Sequence, residues 1–198
     1  MSHLVVVGLA GFAASFVDGA LGMGFGPTSS SILLSSGLNP TGVSATVKIA
    51  KLASGAAAGF SHWRLGNIDH RLVARLAVPG VVGAAVGTTI LTNVDGEQLR
   101  PLLALLLLVI GLRILLRFSR TVATNDARAA SDQLRGVEVA GAVGGVTNGL
   151  IGAWGPIVTP FLLHRRLAPR IVVGSVHTAE IAVAFVAAGS VATPSTGL

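Results

Sequence analysis

The stretch Asp18-Gly-Ala-Leu-Gly-Met-Gly-Phe-Gly-Pro27 interrupts a long apolar segment, residues 4–36, with glycines and a proline. A second stretch, Asn148-Gly-Leu-Ile-Gly-Ala-Trp-Gly-Pro156, interrupts residues 137–163 in the same way. Each segment is too long for one simple membrane span of about 20 residues. Backbone freed by such a break persists in a membrane only where it is buried in protein or lines a polar cavity. Paired breaks of this kind indicate a helical membrane protein with its binding region at the interrupted helices.

The composition supports a membrane location. Hydrophobic residues make up 52% of the 198 residues, charged residues 11%, and the mean hydropathy is +0.77. Soluble domains carry about 25% charged residues, so this chain has too few charges to cover a water-facing surface. Four further segments are apolar and have about the length of a span. They are residues 43–61, 72–93, 100–117 and 171–192. We therefore predict an all-α, polytopic integral membrane bundle.

The net charge of +6 could suggest nucleic acid as a partner. Binding of nucleic acid needs a clustered basic face, usually with aromatic side chains for stacking. Here the arginines punctuate apolar runs and tyrosine is absent, which is typical of charges on the cytoplasmic side of a membrane protein. No nucleic-acid partner is predicted. The absence of cysteine excludes disulfides, thiolate nucleophiles and iron–sulfur clusters.

The two breaks belong to an internal repeat. Asp18 through Gly22 match Asn148 through Gly152 at an offset of 130 residues, and Gly26-Pro27 match Gly155-Pro156 at an offset of 129. The offset of 129 also pairs Pro40 with Pro169. Chance similarity between glycine-rich apolar stretches is the alternative.

This repeat predicts the domain organisation. Residues 1–118 form a first transmembrane repeat, residues 119–136 a polar basic connecting loop, and residues 137–198 a second repeat. The offset pairs Leu198 with Asp69, so the second repeat is expected to be truncated, without about two of the spans that the first one has.

The first break has a second interpretation, a dinucleotide-binding fingerprint, because Val5-Val-Val-Gly8 resembles a strand entering a turn. That motif needs GxGxxG directly after the strand and an acidic residue about 20 positions later. The glycine spacing is wrong and residues 28–47 contain no acid. We instead expect half-helix N-termini at the breaks to present N–H groups to an anion. A tight packing kink is the alternative.

Two lysines lie inside an apolar segment. Lys48 and Lys51 are three residues apart and so share a helix face. An ammonium in a bilayer costs roughly 2.5–3.5 kcal/mol, which makes such residues functional candidates unless they snorkel to an interface. Their repeat counterparts are His177 and Glu180. We expect Lys51 to pair with Glu180, and Lys48 and His177 to face an anion, with a purely structural ion pair as the alternative.

Three polar residues between the second and third spans carry no metal signature. His62, Asp69 and His70 do not have ligand spacing such as H-E-x-x-H, and the basic loop that holds them is expected to be solvated. No Ser/His/Asp arrangement is visible either. Neither a metal, a cofactor nor an enzymatic activity is predicted.

The same motifs resemble the TauE/SafE family of membrane transporters, the sulfite exporter group. The resemblance rests on both breaks, on the loop Gly66-Asn-Ile-Asp69, and on Val173-Gly-Ser-Val-His-Thr-Ala-Glu180, and it covers about residues 10–192. It implies a duplicated multi-span fold in the plasma membrane and export of sulfite, organosulfonates or similar small anions. The expected substrate-binding residues are Asp18, Gly22, Gly24, Gly26, Pro27, Lys48, Lys51, Asn148, Gly152, Gly155, Pro156, His177, Thr178 and Glu180.

Two functions are therefore weighed. The first is a permease that exports a small anion by alternating access, with the lipid bilayer and the solute as its partners. The second is a truncated, non-transporting membrane subunit that needs a partner to complete its bundle. A homo-oligomer is an open alternative for either.

The arginines distinguish two topologies. If each broken segment crosses once, the basic turn around Arg165 and Arg170 lies opposite the other basic loops. If each is a re-entrant hairpin, all the basic loops share one face and only Arg100 lies on the other. Because arginine excess marks the cytoplasmic face, the hairpin model is favoured, and three crossings per repeat then make the repeats inverted.

Overall fold

The computed structural model describes residues 15–16, 18–19, 22–118 and 134–192, in which the chain is helical and contains no strand. Seven helices are described: α1 (Phe25–Ser35), α2 (Pro40–Arg64), α3 (His70–Asn93), α4 (Gly96–Phe118), α5 (Val137–Ile151), α6 (Gly155–His164) and α7 (Pro169–Ala192). Three of them contain stretches long and apolar enough to cross a membrane: His70–Asn93, Gly96–Leu116 and Pro169–Ala187. The predicted class, a helical membrane protein, is confirmed. Residues 4–14, 17, 20 and 21 of the first broken segment, and most of the connecting loop, lie outside the described residues.

The fourth expected span, residues 43–61, differs from the other three. It lies inside α2, which has 25 residues but is not among the helices apolar enough to qualify. The reason is its buried face, which carries Ser44, Lys48 and Lys51 beside Val43 and Val47. At 1.5 Å per residue α2 is about 38 Å long, enough for a bilayer core of about 30 Å. Its crossing of the membrane therefore stays a prediction.

The helix starts follow from local sequence signals. The Asn39 side chain accepts a hydrogen bond from the Gly42 amide at 2.6 Å, and Pro40 follows it as the first residue of α2. The Asp69 carboxylate accepts from the amides of Arg71 and Leu72 at the start of α3. Side-chain caps of this type satisfy amides that have no partner within the helix, and proline suits the first helical turn. These two signals fix where the chain turns between α1, α2 and α3.

Helices α5 and α6 form a hairpin. Gly152, directly after α5, has a φ of 69°, a left-handed conformation that glycine adopts at little cost. From there α6 runs back along α5: Val158 lies next to Gly144, and Phe161 lies next to Gly136. With 15 and 10 residues the two helices are about 22 and 15 Å long, so neither reaches across about 30 Å. The second broken segment thus returns to the end of the bundle where it began.

Helix α3 packs on α5 through glycines rather than through large side chains. The two helices run parallel: Gly145 lies against the Gly80 carbonyl, and Gly149 lies against the Ala84 carbonyl. Small residues of this kind let helix backbones touch inside a membrane. The first half of the chain is therefore joined to the second by backbone contact.

Helices α2 and α7 run antiparallel. Gly55 lies near Ile181, and His62 lies near Gly174, so later residues of α2 lie beside earlier residues of α7. These are the helices that hold the paired candidates Lys51 and Glu180. Their crossing brings the candidate residues of both halves to one place.

Two hydrophobic clusters hold the bundle together. The first joins α3, α5, α6 and α7 and contains the fully buried Trp154, which fits beside Gly80 and Gly144. The second joins α1, α2 and α4 with Leu91 of α3, and Ile151 and Ala153 are inserted into it from the second break. Leucines and valines on the outer faces of α3 and α4 stay exposed, as expected for surfaces that contact lipid.

Candidate functional site at the crossed helix breaks

The two breaks contact each other. Gly26, in the first turn of α1, lies against the Gly152 carbonyl, and Gly155, at the start of α6, lies against the Gly22 carbonyl. A Cβ atom at either position would overlap a backbone atom of the other break. Gly22 and Gly152 also share a φ of +69°. The contact is reciprocal, as it is when two related surfaces meet on a two-fold axis.

Hydroxyl groups satisfy the carbonyls that the breaks leave without helical partners. Ser30 Oγ donates to the Ile151 carbonyl at 2.7 Å, and Thr159 Oγ1 donates to the Gly22 carbonyl at 2.8 Å. Both hydroxyl side chains are fully buried. Irregular backbone at this depth is thus paired within the protein, as a membrane requires.

Lys51 is the centre of a buried ion cluster. Its Nζ lies 2.6 Å from Glu180 Oε1 and 3.3 Å from Asp18 Oδ2, and all three side chains are almost fully buried. The other Asp18 oxygen, Oδ1, accepts a hydrogen bond from the Phe25 amide at the start of α1, at 3.3 Å. The cluster therefore ties α2 to α7 and to the first break.

His177 belongs to the ion cluster of Lys51 and not to the surroundings of Lys48. Its Nδ1 lies 3.8 Å from Glu180 Oε2, and its Nε2 lies 3.1 Å from the Asp18 carbonyl oxygen. Its ring also stacks on that of His62, with 6.1 Å between centroids and 18° between planes. The expectation that His177 would face an anion beside Lys48 is not reflected in these contacts, because α7 runs antiparallel to α2 and presents His177 toward the end of α2.

Lys48 has a different environment. It is 1% exposed, and its Nζ donates to the Gly149 carbonyl at 2.8 Å and to Thr88 Oγ1 at 3.3 Å. Both acceptors are neutral, and no carboxylate of the described residues forms an ion pair with it. The Lys48 ammonium is thus a buried positive charge that lacks a counter-ion in this part of the chain.

Asn148 directly precedes Gly149, whose carbonyl accepts the hydrogen bond from Lys48. It is 1% exposed, and neither its Nδ2 nor its Oδ1 has a hydrogen-bond partner among the described residues. An unsatisfied buried amide costs about 1–3 kcal/mol. A polar group that carries such a cost beside a helix break indicates a place where a ligand could bind.

The other expected substrate-binding residues lie at the breaks or on α7. Gly24 precedes α1 with a φ of 122°, and Pro27 and Pro156 are buried in the first turns of α1 and α6. Thr178 is half-buried on α7, and its Oγ1 donates to the Gly174 carbonyl at 2.8 Å. Thr178 is therefore occupied by its own helix.

A metal ion is a poor fit for the cluster. Ligand atoms of Asp18, His177 and Glu180 lie within 4.8 Å of one another. The Lys51 ammonium already contacts both carboxylates, so a divalent cation would have to displace it. The donor set therefore does not suit a resident divalent metal.

Two side chains that contact the candidate residues His177 and Lys48 are absent from the sequence prediction. His62 was expected in a solvated loop, but α2 continues to Arg64, so His62 lies in its last turn and stacks on His177. The left-handed Gly66, with a φ of 68°, is the stop signal that would have located this helix end. Thr88, a polar residue within the apolar α3, provides the second, through its contact with Lys48.

The comparisons with known proteins agree with this class of fold. The family model for the sulfite exporter TauE/SafE matches residues 7–197. The chain is 37% identical over 190 residues to "Probable membrane transporter protein YtnM" of Bacillus subtilis (strain 168), which covers 93% of this chain and 62% of that protein. No solved structure matches the chain. The chain belongs to the TauE/SafE sulfite exporter family, and it spans 62% of the length of the relative that it matches.

Proposed function

We propose that the chain transports a small anion, of the sulfite or organosulfonate class, across the cell membrane. Membership of the sulfite exporter family supports the solute class and outward transport. The name of the Bacillus subtilis relative supports membrane transport in general.

The observation that supports an anionic substrate is the environment of Lys48. Its partners within the described ranges are neutral, and a buried ammonium without a counter-ion is costly because burial removes its hydration. An anion that binds here supplies the missing counter-ion. The Asn148 side-chain amide, which has no hydrogen-bond partner among the described residues, can donate to the same anion.

The arrangement of the two halves supports alternating access. We propose that residues 1–118 and 137–198 are inverted repeats, because their matching helices α2 and α7 run antiparallel and their breaks make reciprocal contacts. Movement of one such half against the other around a central site is a common transport mechanism. The two breaks would then form the pivot and the site together.

A Lys48→Met variant tests this function. Proteoliposomes with the wild-type chain should take up radiolabelled sulfite, and methanesulfonate should compete. In Lys48→Met the half-saturating concentration should rise about tenfold or more, because a hydrogen bond to a charged group contributes about 1.5–3 kcal/mol. Arg113→Met, which removes a positive charge from the exposed face of α4, should leave uptake unchanged.

The result also separates the two functions weighed for this chain. Equal uptake by Lys48→Met and wild type would exclude Lys48 from the anion site. Failure of well-folded wild-type protein to take up either anion, reversed by adding a second membrane protein, would favour the non-transporting subunit.

A further inference from the structure

We propose that His177 and Glu180 hold the proton whose binding is coupled to transport of the anion. The coupling to transport rests on the proposed function, whereas the proton site itself rests on the geometry of the cluster.

Charge balance gives the first argument. Asp18 and Glu180 place two carboxylates around a single ammonium, that of Lys51. With a neutral imidazole at His177 the buried cluster keeps one uncompensated negative charge. One bound proton makes the cluster neutral, which removes the cost of burying a net charge.

The hydrogen bonds of His177 show where that proton binds. A carbonyl oxygen can only accept, so the ring nitrogen beside the Asp18 carbonyl, Nε2, carries a hydrogen and donates it. In the neutral ring Nδ1 is then an acceptor, and this buried atom has no hydrogen-bond partner among the described residues. It faces Glu180 Oε2 at 3.8 Å, which is too long for a hydrogen bond. A proton from solution bonds to Nδ1 and is shared with Oε2, so the gap closes and the vacant acceptor is satisfied.

The surrounding groups support a proton in preference to a metal cation. Among the described residues, the charged and titratable groups that face His177 and Glu180 are Lys51 and His62 on α2 and Asp18 at the first break. Lys51 already contacts both carboxylates, so a metal cation would have to displace its ammonium. A proton requires only the unpartnered nitrogen.

His62 supplies an approach from the aqueous side. It lies in the last turn of α2, at the end of the bundle that carries the basic loops, and it is half-buried where His177 is 2% exposed. Its Nδ1 also lacks a hydrogen-bond partner among the described residues. The two stacked rings therefore form a titratable column from the basic end to Glu180, a composition typical of proton pathways in carriers.

A fluorescence titration tests the proton site without any transport. The chain has two tryptophans, and Trp63→Phe leaves Trp154, whose Nε1 donates to the carbonyl of Val176, the residue before His177. In detergent, the Trp154 emission of the full chain should show a transition on acidification, as the proton binds at Nδ1 of His177. His177→Gln should abolish the transition, and His70→Gln, at an exposed position, should retain it.

A second variant tests the proposal if His177→Gln does not fold. Glu180→Gln keeps the side-chain size and removes the negative charge that attracts the proton, so the transition should move to lower pH. A transition that persists in His177→Gln and does not move in Glu180→Gln would overturn the proposal. A transition that depends on replacing sodium with choline would overturn it in favour of a metal cation.

Coupling is tested in proteoliposomes that contain a pH-sensitive dye. Methanesulfonate is the probe because it stays ionised, so any proton signal comes from the protein. Movement of protons with methanesulfonate in wild type, and its loss in His177→Gln, is the expected result. Methanesulfonate flux without proton flux would overturn coupling but leave the transport function intact. Absence of any flux would contradict the transport function, and the fluorescence titration then decides the proton site alone.

Discussion

At the scale of single residues, the two lysines of α2 have opposite electrostatic roles although they are three positions apart. Lys51 is compensated by two carboxylates, whereas the partners of Lys48 in the described part of the chain are neutral oxygens. Loss of Lys51 should therefore affect the fold, and loss of Lys48 should affect the anion.

Lys51→Ala should lower the free energy of unfolding by about 3–5 kcal/mol, because it leaves two buried carboxylates without their cation. Thermal unfolding in detergent measures the loss. The double variant Lys51→Ala/Glu180→Ala should recover part of it, since one of those carboxylates is removed as well. Additive losses in the double variant would show that the two side chains do not interact.

The sequence predicted part of this chemistry. Lys51 and Glu180 are repeat counterparts, and such positions meet when they lie near the axis that relates two halves. Asp18 as a third member was not predictable, because its position depends on how the first break folds. The lack of a hydrogen-bond partner for Asn148 among the described residues was not predictable either, since the residue type does not reveal whether its neighbours can form hydrogen bonds with it.

At the scale of helices, the breaks are packing contacts as well as interruptions. Gly26→Val should damage both stability and transport far more than Gly111→Val. A side chain at Gly26 overlaps the Gly152 carbonyl, while nothing lies within 4 Å of a Cβ at Gly111 on α4. Protein abundance in the membrane and sulfite uptake measure the two effects. Similar results for both variants would mean that the breaks do not need their close contact.

The helices themselves were largely predictable, but their partners were not. Apolar length located α3, α4 and α7, and the arginine distribution favoured a hairpin for residues 137–163. The parallel pairing of α3 with α5 was not foreseen. Glycines recur every three or four residues in both helices, but such a stripe does not specify which helix it will meet.

At the scale of the whole molecule, one end of the bundle gathers the basic groups. The starts of α3 and α5 are joined there by an ion pair between Arg75 and Glu138, at 2.5 Å. At the other end Arg100 Nη2 donates to the Leu34 carbonyl at 3.3 Å, which joins α4 to α1. The basic end is therefore expected to face the cytoplasm.

Single cysteines placed in this cysteine-free chain test that orientation. His70→Cys and His164→Cys, both exposed at the basic end, should react with an impermeant thiol reagent from the cytoplasmic side only. Ser36→Cys, exposed after α1, should react from the opposite side. Reaction of His164→Cys from the Ser36 side would mean that residues 137–163 cross the membrane once, and that the repeats run parallel.

The backbone contact between α3 and α5 also sets an order of assembly during synthesis. The α5–α6 hairpin is too short to be held in a bilayer as a crossing helix, and its glycine stripe is received by α3. The ribosome delivers α3 first, since chains emerge from their N-terminus. The hairpin therefore leaves the ribosome with its receptor already inserted. A gene rearranged to encode residues 137–198 ahead of residues 1–118 would release the hairpin before the helix that receives it.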